Sequence, residues 1–321
     1  MDIKQLKTFI CVAECGSLSR ASDRLRIAQP ALSRQVKLLE HEVGVPLFDR
    51  HVRGMNLTEA GKELLSRISG PIHQLEQSVF DIKSLNATIS GQVVLGILPT
   101  IPEAFAGQLL EFAQTELPDI TIRLREAYSI NLLEWLQSGD LDAAFLYGPP
   151  SAYHLNATEL LYEDIVLLSP PGSLPDHGEE IDINAVSRLP LALPSRPFGP
   201  RLIIDRIAKD AGVQLASAFD VDSFRIIISM VEAGLCHGFM PVSSVTRLKA
   251  AKRLETRKIS SRHASRHLIL AYPSDRPNTR ATSAVINLIR RQIGLMIDSG
   301  DWPGRACADL IQFLGETKDS K

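Results

Sequence analysis

Ala28-Gln29-Pro30-Ala31-Leu32-Ser33-Arg34-Gln35-Val36-Lys37-Leu38-Leu39-Glu40-His41-Glu42-Val43-Gly44 decides how the first part of this 321-residue chain folds. Proline is tolerated in the first turn of a helix, where its missing N–H has no intrahelical partner, so Gln29-Pro30 marks a helix start. Leu32, Val36, Leu39 and Val43 then recur at steps of three and four as one buried face, and Gly44 closes the helix. Two more helical stretches precede it. Ile3, Leu6, Ile10 and Ala13 line one face up to a stop at Gly16, and Ser17 can cap a short second helix that turns Leu18, Ala21 and Leu25 inward. Two helices joined by a tight turn and braced by a third make either a plain bundle with a polar surface or a helix-turn-helix. Periodicity alone does not separate the two.

If it is a helix-turn-helix, the residues at the base edges are Gln29, Pro30, Ala31, Ser33, Arg34 and Gln35, with Ser17 counted beside them at the start of the second helix. Glutamine can pair bidentately with adenine, proline and alanine can touch a thymine methyl, and arginine and serine can hold phosphates. Residues 46–57 alternate loosely and turn at Gly54, which reads as a two-stranded wing presenting Arg50 and Arg53. Charge adds little to this. Residues 1–60 hold nine Lys and Arg against seven Asp and Glu, and the whole chain carries a formal net charge of -2. A protein that coats nucleic acid nonspecifically is normally basic, so any DNA binding here must be local.

Composition bounds the class. At 45% hydrophobic and 22% charged the chain has globular proportions, and at roughly 150 residues per domain its length predicts about two folding units. Polar residues interrupt Met1 to Lys7 where a signal peptide needs an apolar run, and no window holds the apolar residues of a membrane span, so a cytoplasmic protein with no membrane partner is expected. Cys11, Cys15, Cys236 and Cys307 are too few and scattered for a disulfide framework or a paired-cysteine zinc site, and Cys11 and Cys15 read as small core residues. His263 and His267 fall in or beside a strand, where i and i+4 lie about 13 Å apart (roughly 3.3 Å per residue), so neither a metal nor a cofactor is expected.

Between residues 58 and 89, Leu65, Ile68, Ile72, Leu75, Val79 and Ile82 form a heptad seam, which either packs on its own domain or pairs with a partner helix. Gly70-Pro71 interrupts the seam, and an interior proline predicts a kink. Strands and helices alternate beyond Gly91: strands over 92–98, 120–125 and 141–146, helices over 101–116 and 130–138, and a second set over about 163–266. A strand at 268–272 and a helix at 281–297 return to the first. Such units predict a parallel sheet in an α/β fold with two lobes and a double crossing between them. Ligands of α/β sheets sit where strands end and helix N-termini offer N–H groups. Thr100, Ser129, Tyr147, Ser195, Phe198, Arg201 and Phe224 fall at such places. Thr100 to Glu103 also reads as a capping box, so Thr100 is either a cap or a pocket residue. The chain lacks Gly-x-Ser-x-Gly, Gly-x-Gly-x-x-Gly, a phosphate loop and His-Glu-x-x-His, so it is not expected to be an enzyme. An enzyme fused to a DNA-binding module and an architectural DNA-binding protein without an effector are the alternatives.

Taken as strings, Phe9, Gly16-Ser17, Ala21-Ser22, Ala28 to Ser33, Leu38-Leu39-Glu40, Leu47-Phe48, Leu57-Thr58 and Ala60-Gly61 resemble the winged helix-turn-helix of LysR-type regulators. Pro99-Thr100, Ser138 to Ala143 and Val231 to Leu235 running to Pro241 resemble their effector domains, which have the architecture of periplasmic binding proteins. Leu193-Pro194-Ser195-Arg196-Pro197 is similar to the nitrogen-assimilation-control subgroup. The chain departs from the pattern at Ala28, where members often carry Ser or Thr, and at Cys236-His237. The resemblance implies an α/β chain in three parts: a winged helix-turn-helix over 1–59, a dimerising linker helix over 60–89, and an effector domain over 90–321. Lobe I of that domain comprises about 90–162 and 267–300, and lobe II about 163–266. No role is assigned to 300–321. The implied partners are a two-fold operator in double-stranded DNA, a small and anionic effector, a second copy as homodimer or homotetramer, and RNA polymerase.

Overall fold

The computed structural model describes residues 1–51, 54–83, 88–149, 151, 155–174, 178–196, 199–274 and 277–319. Helix α1 (Ile3–Cys15) starts in a capping box between Asp2 and Gln5 and ends at Gly16, whose φ of 61° is left-handed. Its buried stripe is Leu6, Phe9 and Val12, whereas Ile3 is 48% exposed and Ile10 and Ala13 are half-buried. The expected face is thus rotated. Phe9 is the largest side chain available, and turning it inward sets its ring 5.2 Å from that of Phe48. Helix α2 (Leu18–Leu25) follows, then α3 (Gln29–Val43), which buries Leu32, Val36 and Leu39 but leaves Val43 40% exposed, a turn beyond the body of the bundle. Ser17 stands at the N-cap position of α2 without a side-chain cap bond.

Strands β1 (Phe48–His51) and β2 (Gly54–Leu57) pair antiparallel as the wing, with Arg50 opposite Met55 and Gly54 opposite His51. Gly54 therefore opens the second strand instead of forming the turn. The Glu40 carboxylate accepts the backbone N–H groups of Leu47 and Phe48, which anchors the wing on α3. Helix α4 (Glu59–Lys83) runs through Pro71 as one element. Its first half lies on the N-terminal core, where Ile72 is 6% exposed, while Leu75, Val79 and Ile82 are 49%, 53% and 69% exposed. The seam is split between the chain's own core and open solvent.

The remainder runs β3 (Gly91–Ile97), α5 (Glu103–Glu116), β4 (Ile120–Glu126), α6 (Ser129–Ser138), β5 (Ala143–Tyr147), β6 (Asn156–Ser169), β7 (Glu180–Ile181), α7 (Ile183–Val186) and β8 (Leu191–Leu193). Then come α8 (Gly199–Asp210), β9 (Ser217–Asp220), α9 (Phe224–Glu232), β10 (Gly238–Pro241), α10 (Thr246–Ala250), β11 (Glu255–Ile259), β12 (Ser265–Tyr272), α11 (Arg280–Ser299), β13 (Arg305–Ala306) and α12 (Ala308–Asp319). In lobe I, β3 pairs parallel with β4 and β5, but the returning strand β12 is antiparallel to both β5 and β6, so the sheet is mixed and not wholly parallel. The long strand β6 pairs with β12 through its first part and with β10 and β11 through its last, so β6 and β12 carry the chain between lobes. The expected double crossing is these two strands.

The C-terminal segment belongs to lobe I. Strand β13 adds to β6, and Trp302 is fully buried with its ring 5.4 Å from that of Phe105. Among the described residues no helix is long and apolar enough to cross a membrane.

The linker helix meets lobe I at Gly70. A Cβ there would lie 2.0 Å from the Ser138 carbonyl oxygen and 2.5 Å from the Gly139 Cα, so only glycine lets α4 lie this close to the end of α6. Alanine is normally favoured over glycine inside a helix by about 0.5–1 kcal/mol. We expect Gly70→Ala to lower the melting temperature of the full chain, and a higher one would show that α4 does not lie on α6.

Candidate functional site

The N-terminal end of α3 is an open surface. Gln29, Pro30, Ala31 and Arg34 are exposed and Ser33 is half-buried. Ala28 occupies the N-cap position and offers no side-chain acceptor, but Pro30 has no N–H and the Ala31 N–H donates to the Ala28 carbonyl at 2.9 Å, so the first turn of α3 offers an outside partner the Gln29 N–H at most. Gln35 behaves differently, since its side chain accepts a hydrogen bond from the buried hydroxyl of Thr8 and ties α3 to α1. Ser22 Oγ donates to the Ile27 carbonyl at 2.7 Å and fixes the turn between α2 and α3. Arg50 lies on the wing strand β1, and Arg53 lies outside the described residues.

The second site is built where the lobes join. Arg266 and Glu163 are direct register partners on β12 and β6, 2% and 1% exposed, and their side chains form an ion pair. Arg266 Nη1 also donates to Thr100 Oγ1 at 2.7 Å, Nη2 donates to the Thr100 carbonyl at 3.3 Å, and the guanidinium lies 4.4 Å from the centre of the Tyr147 ring. The Thr100 and Tyr147 hydroxyls are hydrogen-bonded to each other. On the far side, Glu163 Oε2 accepts from the Ser243 hydroxyl of lobe II and from Trp302 Nε1 at 3.4 Å. Burial pushes the Glu163 carboxyl up to about 8, against hydrogen bonds from Ser243 and Trp302 that pull it down, and pushes the Arg266 guanidinium down.

Beside this network lies a small cavity of about 10 Å³, room for roughly one water, between Tyr147 and Arg266 on one side and Pro200, Ile203, Ile204, Phe224, Phe239 and Met240 on the other. Of the expected pocket residues, Tyr147 and Phe224 line it and Thr100 stands directly behind. Thr100 is not a cap: the N-cap of α5 is Pro102, and the Thr100 hydroxyl is taken up by Tyr147 and Arg266. Arg201 points elsewhere, pairing with Asp205 at 2.9 Å and donating to the Pro194 carbonyl at 2.9 Å. The N–H of Ser195 donates to Asp222 Oδ1 at 2.8 Å, Ser129 opens α6 half-buried, and Phe198 lies outside the described residues. Arg266 and Glu163 were not anticipated. Their signal was weak, because β6 also carries Glu159 and Asp164, so Glu163 does not stand out as a lone buried charge.

Comparison with known proteins bears on both sites. Residues 3–62 match the family profile described as bacterial regulatory helix-turn-helix protein, lysR family, and residues 86–316 match the LysR substrate binding domain. The nitrogen assimilation regulatory protein nac of Escherichia coli (strain K12) is 30% identical over 275 residues, covering 85% of this chain and 89% of that protein. The nac protein of Klebsiella aerogenes is 30% identical over 271 residues, covering 84% and 88%. Among solved structures, full-length OxyR from Pseudomonas aeruginosa aligns with a TM-score of 0.70 at 22% identity, covering 90% of this chain and 95% of that one. Full-length CbnR complexed with its target DNA aligns at 0.67 and 21% identity, covering 91% and 100%.

Removing one member of a buried ion pair strands the other, at a cost of about 3–5 kcal/mol, whereas replacing both by apolar residues is often neutral. We expect Glu163→Gln to unfold at much lower denaturant than the parent and the double variant Glu163→Leu, Arg266→Met to recover most of the loss. A Glu163→Gln midpoint equal to the parent's would show that no ion pair forms there.

Proposed function

Because the chain belongs to the LysR family of bacterial helix-turn-helix transcription regulators, we propose that it reads a two-fold operator as a dimer and that a small organic acid between the lobes sets its activity. The dimer reading is supported by α4, whose Leu75, Val79 and Ile82 continue the heptad seam beyond the chain's own core and stay uncovered. A dimer places its reading heads at a spacing that the operator must match. The homotetramer and the contact with RNA polymerase rest on the family resemblance alone.

The effector reading is carried by one observation, the Arg266 guanidinium in the wall of a cavity that is otherwise apolar. An apolar body fits against Phe224, Ile203 and Phe239, and an acidic group fits toward Arg266 and the Tyr147 hydroxyl. At about 10 Å³ the cavity is too small for such a molecule, so entry requires the lobes to part.

Two measurements test these readings. In operator footprints, Gln29→Ala should relax preference at one position of each half-site, and Arg34→Ala should weaken binding to all sequences and flatten the salt slope by about 1. Leu75→Asp with Val79→Asp should sediment as a monomer, and unchanged footprints and an intact dimer would overturn the assignment. For the cleft, a calorimetric screen should find small apolar acids that bind while their amides bind about 10- to 150-fold more weakly, the worth of a hydrogen bond to a charged group. Thr100→Val, which removes no helix cap, should weaken the acid selectively. Equal affinity for acid and amide would sink the proposed chemistry.

A further inference from the structure

On β12 alternate side chains face opposite sides of the sheet, so His267 points away from the Arg266 network. Its ring stacks on Tyr162, its register partner on β6, with centroids 4.4 Å apart. The side chain is nine-tenths buried, and Nε2 has no hydrogen-bond partner, although Glu159 Oε2 lies 3.4 Å away. Leaving a buried polar nitrogen unbonded is costly, and native structures rarely do so without a reason. The third member is Cys307, buried just after β13, whose backbone N–H donates to the Leu160 carbonyl at 2.9 Å. Donor atoms of Glu159, His267 and Cys307 all lie within 4.8 Å of one another.

We propose that Glu159, His267 and Cys307 bind a divalent ion of the zinc class, which clamps the C-terminal segment onto the strands that cross between the lobes. The donors are one thiol, one imidazole and one carboxylate, a set that suits zinc and disfavours magnesium or calcium. With metal–ligand distances of about 2.0–2.3 Å, tetrahedral ligands sit roughly 3.5 Å apart, so the cluster closes around an ion by small side-chain movements. Three protein ligands leave a fourth position for water. The Asp309 carboxylate, which accepts the Glu159 N–H at 3.4 Å, adds negative charge nearby. The adjacent cation is otherwise engaged, since Arg290 donates to the Asp309 carbonyl and lies over the Phe313 ring. His263, discounted in the sequence as a partner of His267 because of its distance along a strand, faces Asp210 on lobe II at 3.2 Å.

The test uses the full chain, freed of metal by chelation and titrated with Co²⁺ as a spectroscopic probe, then with Zn²⁺. A one-to-one complex with a thiolate-to-cobalt charge-transfer band, bleached by Zn²⁺, is expected. Cys307→Ser should abolish the band while Cys11→Ser and Cys15→Ser keep it. His267→Gln and Glu159→Gln should weaken affinity at least about tenfold, since loss of even an outer-shell partner costs 10- to 100-fold. Glu159→Gln changes a side chain about a third exposed and gives the same reading if Cys307→Ser fails to fold. No cobalt–thiolate band, or a band that survives Cys307→Ser or disappears with Cys11→Ser, would overturn the site.

Discussion

The cross-strand pair of Arg266 and Glu163 sets the register on which the lobed domain depends. Two buried charges directly opposite each other on antiparallel strands attract, while a slip of one strand by one residue would turn its charge to the other face and leave each unpaired. With that register held, Leu268 falls opposite both Leu161 and Tyr147, which brings the Tyr147 ring against the guanidinium. Arg266 then meets Thr100 from lobe I, and Glu163 meets Ser243 from lobe II and Trp302 from the C-terminal segment. One pair thus joins both lobes and the segment that closes the chain. Burying two ions stabilises less than packing two apolar residues would. Its contribution is specificity: a buried polar network is satisfied in one arrangement of the strands and penalised in others.

How much of this was legible follows from which signals are local. The start of α3 could be read because proline and a three-four apolar repeat act within a few residues, and the strands of lobe I because their apolar runs are short and bounded. The face of α1 could not. Two overlapping apolar stripes run along it, and the choice between them depends on Phe48, which is distant in sequence. Thr100 shows the same limit, since Thr-x-x-Glu satisfies a capping pattern, yet Tyr147 and Arg266, remote along the chain, claim the hydroxyl. Arg201 had the right charge near the right helix start, and Asp205 one turn later takes it up. The C-terminal segment carries little periodic signal, because its anchors are scattered: Trp302, the two-residue strand β13, and Leu310 and Leu314 of α12.

The linker helix answers to two constraints that its sequence overlays. Its heptad repeat looks uniform, but Leu65, Ile68 and Ile72 are needed by the N-terminal core, and Gly70 is needed for contact with α6. Only the second half is left over for a partner. This explains why α4 runs through Pro71 as one element: the neighbouring N-terminal core and lobe I hold the helix on both sides of the proline, and that packing outweighs one lost backbone bond.

That leftover half matters because one reading head is electrostatically weak. The first sixty residues carry a surplus of two positive charges in a chain of net charge -2, so the nonspecific attraction that holds basic proteins to DNA is small here. In the proposed reading, affinity comes from a few well-placed contacts at the open end of α3, and a few contacts per head give modest binding. Joining two heads makes the second binding event intramolecular, which raises overall affinity without new contacts, provided the spacing fits. In the proposed dimer, a short apolar seam on α4 would do for operator recognition what the local charge balance does not.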